Sequence, residues 1–571
     1  MKRTIVSVVV ACFAATQTIF AVASGSRTVE LPYRLVFVQR NLSRDEHVAE
    51  IRDIVRRSSR LGFNGIVLSG SFDRIDLQGK DYLDRLREVK TTCDENGVEL
   101  IPLVFSVGYA GGVLAHDRHL AAAVPVKDLP FDVQNGQGVL AKNPAVGIAN
   151  GGFERFDGQR AVGFDLQDGP GRLSFADAVE HKEGKSSLRF ENVGGTRGGK
   201  GRVVQKVAVH PFRCYELTLW VKTENLNPPS QFQVVVKTAD DRVLMTWRPS
   251  LDATGDWRQV TVGFNSLAYE NAGIYAGVWN GPSGRFWIDD MQLREVGILN
   301  VVRRPGTPVE VKNAETGLVY REGDDFERIE DENLSFEFDQ EETPLAVRSG
   351  GRIRDGDRLL VSYYQALALK GESGQIGVCM SEPRVYEIWE QIARALHETI
   401  APKHYFFSMD EIREGGWCQT CERRGLSAGE ILGDCITRQV EIVRAVSPDA
   451  GIFVWSDMLD PNQNAGDNYY LFKGDFAGSW NHIPKDLIIA CWNYDTRDKS
   501  LRHFDHLGFR TIGCGYYDMD SKNAAEDWLA SLAKTPGACG IMYTTWKNRY
   551  GFLETFAGVV PRGRGTASNP R

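Results

Sequence analysis

Two adjacent carboxylates, Asp410 and Glu411, are the strongest catalytic candidates in the sequence. They directly follow the apolar run 404–409 and precede a glycine-rich loop at 415–417. An acidic pair alone is weak evidence, because the chain has several others and acids are also favourable at a solvated helix start. The position after a predicted buried strand favours catalysis. Two neighbouring carboxylates ionise together only at a cost, so one can keep a proton near neutral pH and act as an acid.

Such a pair suits the cleavage of a glycosidic bond. That reaction needs a proton on the leaving oxygen and a group that stabilises an oxocarbenium-like centre. In a competing two-carboxylate mechanism a second acid is the nucleophile, and Asp457, Asp495 and Asp518 also follow predicted strands. The sequence leaves open the separation between carboxylates that would distinguish the two mechanisms.

Aromatic residues follow several of the same strands. Their ring faces can pack against the C–H surfaces of a sugar, while neighbouring polar groups hydrogen-bond its hydroxyls. These strand ends carry no cluster of His and Cys residues that could bind a metal and no Ser, His and Asp in the order of a catalytic triad. We therefore expect no cofactor in catalysis. The residues predicted to bind substrate are Arg40, Trp455, Asp457, Trp492, Tyr516, Tyr517 and Trp546.

These positions are strand ends because apolar strands alternate with helical patterns in two parts of the chain. Three strand–helix units come before about residue 140 and five after 380, and nearly continuous apolar strands indicate a buried parallel sheet. Eight such units predict an α/β fold, a TIM (β/α)8 barrel, whose active site lies at the C-terminal strand ends. An open doubly wound sheet is the alternative, but no glycine-rich phosphate-binding turn follows the first strand. The predicted strands are 34–39, 63–69, 99–106, 404–409, 451–456, 487–492, 511–514 and 540–545.

Short alternating strands separated by Gly, Asn and Asp turns fill the gap between the two parts. This pattern predicts an antiparallel β-sandwich inserted after the third barrel strand. The predicted division is a signal peptide at 1–23, the first part of the barrel at 24–146, a carbohydrate-binding-like β-sandwich at 147–297, a β-rich connector at 298–375 and the second part of the barrel at 376–571.

The first 23 residues have the features of a secretory signal. Lys2 and Arg3 precede an apolar stretch at 5–13, and a small-x-small cleavage site lies at 21–23. A membrane span is the alternative, but the apolar run is too short for one. We therefore expect export, to the periplasm or the extracellular space, and no membrane span. The net charge of −8 shows no excess of basic residues of the kind that nucleic-acid binding requires, so we expect no nucleic-acid partner.

Cysteine spacing gives a weaker signal. Ten cysteines minus Cys12 leave nine in the exported chain, and Cys418 and Cys421 form a CxxC with Cys435 nearby. A zinc site needs a fourth ligand, and no CxxH or second CxxC supplies one. The spacing therefore favours a Cys418–Cys421 disulfide or plain loop thiols over zinc.

The two barrel segments, about 33–140 and 380–546, resemble the family 20 glycoside hydrolases, the β-N-acetylhexosaminidases. That family also carries an adjacent Asp-Glu after its fourth strand, tryptophans after later strands and a tyrosine after the seventh. The resemblance implies that Glu411 is the general acid/base and that Asp410 orients the 2-acetamido group of the substrate, whose carbonyl then acts as the nucleophile. It also implies Tyr516 or Tyr517 as the partner of the acetamido oxygen, Trp492 and Trp546 as walls of the sugar pocket, and Arg40 as a clamp for distal hydroxyls.

The inserted segment, about 147–297, resembles the carbohydrate-binding jelly rolls attached to secreted glycosidases. The similarity lies in its two ends, 150–154 and 286–293. In such modules an acid near the start and one on the last strand often help to hold a structural calcium, which implies Glu154 and Asp290 here. The tryptophans of this segment are expected either to bind glycan or to lie in its core.

The sequence thus predicts an exported glycoside hydrolase, exo-acting on terminal β-linked N-acetylhexosamine, with a glycan as its partner. One alternative is a non-catalytic carbohydrate-binding protein with a degenerate barrel. Another is a glycosidase for sugars without an acetamido group, because Ser408 and Met409 stand where the resembling family has two glycines.

Overall fold

The computed structural model describes residues 31–143, 146–195, 198–331, 334–338, 340–369 and 375–561. The predicted signal peptide at 1–23 lies outside these residues, and export stays a prediction. Within the described ranges, none of the helices combines the length and the apolar character needed to cross a membrane.

Eight parallel strands close into a barrel in chain order, and the last strand pairs with the first. The predicted TIM barrel is confirmed, and the open doubly wound sheet is wrong because the sheet has no edge. The strands are β1 (Tyr33–Gln39), β2 (Gly65–Ser69), β3 (Glu99–Val104), β4 (His404–Phe407), β5 (Gly451–Trp455), β6 (Ile488–Cys491), β7 (Arg510–Tyr516) and β8 (Ala538–Thr544).

Large side chains fill the interior of the barrel. Alternate residues of a strand point to the same face, and here that face carries residues such as Phe37, Phe406, Phe453 and Trp455. The Trp455 ring is 1% exposed and lies with its centroid 4.6 Å from that of Phe406 and 6.0 Å from that of Phe37. The barrel is therefore plugged, and a ligand can enter only at its mouth.

Helices with one apolar face cover the outside of the barrel. The longest of the described helices, α4 (Ala428–Val446), begins at a capping box. Ser427 Oγ accepts a hydrogen bond from the Glu430 amide, and the Glu430 carboxylate accepts one from the Ser427 amide. The main helices are α1 (Asp45–Leu61), α2 (Lys80–Glu95), α3 (Pro383–Ile400), α4 (Ala428–Val446), α5 (Arg497–His506), α6 (Lys522–Leu532) and α7 (Leu553–Val559).

The inserted segment contains two antiparallel five-stranded sheets, which confirms the predicted β-sandwich. One sheet holds the strands Ser174–Asp177, Ser187–Glu191, Cys214–Asn227, Gly255–Asn265 and Ser283–Glu295. The other holds Leu166–Gln167, Gly201–Ala208, Phe232–Lys237, Val243–Trp247 and Asn271–Val278.

A third antiparallel sheet corrects the chain path that we expected after β3. The strands Val124–Gln134 and Gln137–Leu140 fall in the segment assigned to the first part of the barrel, yet Val124–Gln134 pairs with Arg358–Gln365 of the predicted connector. Local sequence does not reveal a partner more than two hundred residues away. The remaining strands of this sheet are Glu310–Asn313, Val319–Tyr320 and Leu345–Ala346.

The third sheet and the sandwich share one apolar core, which contains residues from Val124 to Leu369 together with Leu471. Hydrogen bonds also join them: Tyr363 Oη donates to the carbonyl of Gly297 (2.9 Å), and Asn265 Nδ2 donates to that of Pro125 (3.2 Å). We therefore expect the cooperative unit to be larger than 147–297.

A fragment of residues 121–369 should unfold in a single cooperative transition, because it keeps both sides of this core. A fragment of 147–297 should melt at a lower temperature and bind a hydrophobic dye, because the face that packs on the third sheet is exposed. Thermal denaturation followed by circular dichroism checks both. Equal melting temperatures would show that the sandwich is stable on its own and that the shared core adds nothing.

Candidate active site

A cavity of about 900 Å3 opens at the C-terminal ends of the barrel strands. Phe37 and Trp455 contribute to it from the barrel interior, so it lies directly above the aromatic plug. Asp410 and Glu411 line it, as the sequence predicted from their place after β4. Its other polar and aromatic lining residues include Gln39, Ser69, Asp73, Arg74, Ser106, Tyr109, Trp492, Tyr517 and Trp546.

The backbone that carries the acidic pair is held in an unusual conformation. Glu411 has φ +48°, a left-handed conformation that costs a non-glycine residue free energy. Its amide donates to Asp457 Oδ2 (2.9 Å), and its carbonyl accepts from Gln375 Nε2 (2.9 Å). Gly108 packs so closely that an added Cβ would come within 2.2 Å of the Asp410 carbonyl oxygen. These contacts fix the direction in which both carboxylates point.

Two residues that the sequence analysis missed contact the Glu411 carboxylate. Arg413 Nη2 is 2.9 Å from Glu411 Oε1, and the side chain of this arginine is only 6% exposed. The Tyr109 hydroxyl donates to Glu411 Oε2. Burial and the neighbouring carboxylates raise the pKa of Tyr109, so it stays a donor. A cation and a hydroxyl donor together stabilise the anionic form of Glu411.

Asp410 lies in the opposite electrostatic environment. Burial, together with the charges of Asp457 and Glu411, raises the pKa of Asp410 to about 7, although hydrogen bonds from Ser408 Oγ (3.0 Å) and from the Asp410 backbone act in the opposite direction. Burial likewise raises the pKa of Asp457 to about 6. The raised pKa values of Asp410 and Asp457 favour a shared proton within the acid cluster, which we define as Asp410, Glu411 and Asp457.

Aromatic rings form one wall of the cavity. Trp492 and Tyr517 stack with centroids 5.5 Å apart and planes 3° from parallel. Trp546 meets Tyr517 edge to face at 5.8 Å and lies 5.0 Å from Phe37, and 36% of its surface is exposed. This wall offers the flat apolar surface that a sugar ring packs against.

The structure separates the two candidate tyrosines after β7. Tyr517 lines the cavity, whereas Tyr516 is 2% exposed, stacks on Tyr543 at 4.4 Å and donates to Asp520 Oδ1 (2.7 Å). Tyr516, Tyr517 and Asp518 all have positive φ. This left-handed turn breaks the alternation of the strand, so Tyr516 is wrong as a cavity residue.

The three acids considered as a second carboxylate have different surroundings. Asp457 is fully buried and lies behind Glu411, where Asn464 Nδ2 (2.9 Å) and Trp492 Nε1 (3.4 Å) also donate to it. Asp518 accepts from the Trp546 amide (2.8 Å) and so positions that tryptophan. Asp495 is exposed. None of the three lines the cavity.

Arg40 does not reach the cavity, contrary to its predicted place as a sugar clamp. Its Nε pairs with Glu50 Oε2 on α1 at 2.5 Å, and its Nη1 donates to the Gln39 carbonyl (3.0 Å). The acid on the following helix thus draws the guanidinium away from the mouth. Arg74, which follows β2, supplies a guanidinium side chain to the cavity lining instead.

The residues proposed for calcium make hydrogen bonds within the sandwich. Glu154 Oε1 accepts from the amide of Lys185 (2.8 Å), and Asp290 Oδ1 accepts from Gln292 Nε2 (2.7 Å). In the described part of the chain, neither acid belongs to a group of three or more side chains placed to bind a metal. Calcium binding stays a prediction.

Of the two states left open for Cys418 and Cys421, a disulfide or plain loop thiols, the structure has thiols. The two Sγ atoms are 3.6 Å apart, and both thiols are free and buried. Cys435 lies apart from them, within α4. A third cysteine, Cys379, contacts both members of the CxxC, which spacing within the CxxC could not show.

No protein-family model matches the chain, and no curated protein matches it significantly. Among solved structures, a β-N-acetylhexosaminidase from Bacteroides fragilis is 8% identical over 92% of this chain and 65% of its own, with a TM-score of 0.37. A rhamnosidase from a Novosphingobium species is 10% identical over 92% and 56%, with a TM-score of 0.32. A xylan-binding CBM22 domain from Paenibacillus barcinonensis is 16% identical over 27% and 96%, with a TM-score of 0.19. The chain spans less than two thirds of either enzyme, and these values assign it to no family.

The raised pKa of Asp410 predicts a dependence of stability on pH. Between its ordinary value near 4 and its value of about 7, the folded protein binds more protons than the unfolded chain, so the free energy of unfolding falls as pH rises through this window. Asp410→Asn removes the buried charge and should stabilise the protein at about pH 8 by on the order of 1–3 kcal/mol. Near pH 4 the difference should vanish.

Unfolding curves of both proteins across this pH range measure the effect. Asp495→Asn is the matched control, because Asp495 is exposed and lies outside the cavity lining. A stabilisation by Asp410→Asn that was independent of pH would contradict the raised pKa.

Proposed function

We propose that this protein is a glycoside hydrolase that removes terminal β-linked N-acetylhexosamine, with Asp410 and Glu411 as its catalytic carboxylates. The observation that carries the proposal is the pair of adjacent carboxylates, Asp410 and Glu411, in the lining of a cavity walled by Trp492, Tyr517 and Trp546. A proton donor beside a flat aromatic surface is what hydrolysis of a bound sugar requires.

Glu411 is the proposed general acid/base. It donates a proton to the glycosidic oxygen as the bond from that oxygen to the anomeric carbon breaks, and it later takes a proton from the attacking water. Arg413 and the Tyr109 hydroxyl contact the carboxylate that forms when the proton leaves. Both contacts were already in place before the reaction, so they stabilise the developing charge without reorganisation.

Asp410 is proposed to accept a hydrogen bond from the N–H of the substrate's 2-acetamido group. This hydrogen bond turns the acetamido oxygen toward the anomeric carbon, where a new C–O bond closes an oxazolinium ring as the leaving group departs. Water then opens the ring with retention of configuration. Because the N–H favours the anionic form of Asp410, substrate binding shifts the shared proton of the acid cluster to Glu411.

The surroundings of the other acids support substrate assistance over a second protein nucleophile. Asp457 lies behind the Glu411 backbone, and Asp518 is engaged with the loop after β8. Asp73 does line the cavity, but its two oxygens accept from the amides of Phe105 (2.6 Å) and Ser106 (3.0 Å). We therefore assign the role of nucleophile to the carbonyl oxygen of the substrate's acetamido group.

Substitution of the pair distinguishes the two proposed roles. Glu411→Gln removes the proton donor, so kcat/KM should fall about 10²–10⁴-fold on natural glycosides and much less on nitrophenyl glycosides, whose leaving group needs no proton. Asp410→Asn should lose activity on both, because ring closure by the acetamido oxygen is needed to displace either leaving group. A thiazoline mimic of the oxazolinium should inhibit wild type strongly and the Asp410 variant weakly.

Kinetics with paired natural and nitrophenyl substrates give both results, with Asp495→Asn as the control that keeps full activity. If Asp410→Asn, rather than Glu411→Gln, lost much less activity on nitrophenyl glycosides than on natural glycosides, the roles of the two carboxylates would be reversed and Asp410 would be the acid. If neither variant lost activity, the cavity would not be the active site.

A further inference from the structure

Three cysteines from two distant parts of the chain meet in a buried cluster outside the cavity. The Sγ atoms of Cys379 and Cys418 are 3.7 Å apart, those of Cys379 and Cys421 are 3.7 Å apart, and those of Cys418 and Cys421 are 3.6 Å apart. Their exposed fractions are 3%, 2% and 5%. Nothing in the proposed glycosidase mechanism uses these thiols.

The spacing of the sulfur atoms matches one face of a tetrahedral metal site. Zinc–sulfur bonds of about 2.3 Å at tetrahedral angles place neighbouring sulfurs about 3.8 Å apart, whereas a disulfide requires about 2.05 Å. All three pairs have nearly the same separation, which pairwise packing of thiols does not demand. We propose that Cys379, Cys418 and Cys421 bind a zinc ion as thiolates.

The charge beside the cluster supports this assignment. Three thiolates and Zn2+ carry a net charge of −1, and Arg304, whose side chain is 5% exposed, lies against Cys418. Arg304 Nη1 donates to the Ala121 carbonyl (2.9 Å) and Nε is 3.3 Å from Glu382 Oε2, but the buried Nη2 has no hydrogen-bond partner. A metal–thiolate cluster would place further negative charge beside this guanidinium, next to that of Glu382.

A tetrahedral zinc ion at this cluster would take a fourth ligand, which we assign to a water molecule. In the part of the chain that the structure describes, the cluster contains three ligand side chains. Three protein ligands and one water are an established arrangement for zinc. Soft sulfur ligands in a tetrahedral arrangement favour zinc over calcium or magnesium.

The zinc would join two segments that hold the acidic pair. Gln375 contacts the Glu411 carbonyl, and the Gly377 amide donates to Glu414 Oε1, so the segment leading to Cys379 already touches the loop after β4. Cys418 and Cys421 lie at the far end of that loop. Bound zinc would therefore anchor the loop that carries the acid cluster.

Metal analysis of the full chain tests the site. Protein purified under reducing conditions, loaded with Zn2+ and dialysed, should keep about one zinc per chain. Replacement by Co2+ should give the intense thiolate charge-transfer absorption and the d–d bands of tetrahedral cobalt. Cys379→Ser should lower the zinc content and weaken the charge-transfer band, whereas Cys435→Ser, which changes a buried thiol elsewhere, should leave both unchanged.

The spectrum of wild-type protein alone decides the case if a variant fails to fold. Absence of bound zinc after loading, or a cobalt spectrum without thiolate absorption, would overturn the proposal. So would a disulfide between any two of the three cysteines in protein purified without reductant, identified by mass spectrometry of the non-reduced peptides that contain them. These results are independent of glycosidase activity, so the proposed function and the zinc site can fail separately.

Discussion

The crowding of three carboxylates at the ends of β4 and β5 is the constraint on which the site depends. Asp410, Glu411 and the buried Asp457 cannot all be ionised cheaply so close together, which favours a shared proton in the cluster. Asp457 also fixes the strained backbone of Glu411 and accepts from the Trp492 indole. One buried acid thus sets the charge of the pair, its direction and part of the aromatic wall.

The acid pair is held by segments that are remote from it in sequence. Tyr109, which donates to Glu411, lies 302 residues before it, and Gln375 reaches it from the end of the inserted segment. The insertion after β3 therefore does more than add a sandwich. Its return to the barrel supplies contacts to the backbone of Glu411, beside the cysteine cluster that we propose binds zinc.

The barrel could be predicted from the sequence because each of its strands is a nearly continuous apolar run with a helical pattern around it. The same regularity placed Asp410, Glu411, Trp492 and Trp546 at the mouth, since strand ends meet there. Orientation within the loops was not predictable. Arg40 follows β1 but is drawn away by Glu50, a matter of side-chain pairing across a turn.

Contacts between distant segments were also beyond sequence reasoning. Tyr516 and Tyr517 differ by one position, and only the left-handed turn after β7 decides which enters the cavity. The sequence analysis did not connect Cys379 with the CxxC, because Cys379 lies 39 residues before Cys418. Likewise, the sequence did not predict that the strand Val124–Gln134 pairs with the strand Arg358–Gln365.

The dependence of activity on the substrate's 2-acetamido group tests the account most directly. Rates of hydrolysis should be compared for nitrophenyl N-acetyl-β-glucosaminide and N-acetyl-β-galactosaminide and for the matched glycosides with a 2-hydroxyl group. We predict hydrolysis of at least one acetamido sugar and none of its 2-hydroxyl counterpart, because the acetamide supplies both the nucleophile and the hydrogen bond that moves the proton to Glu411. Equal rates for the two members of a pair, or hydrolysis of the 2-hydroxyl glycosides alone, would contradict it.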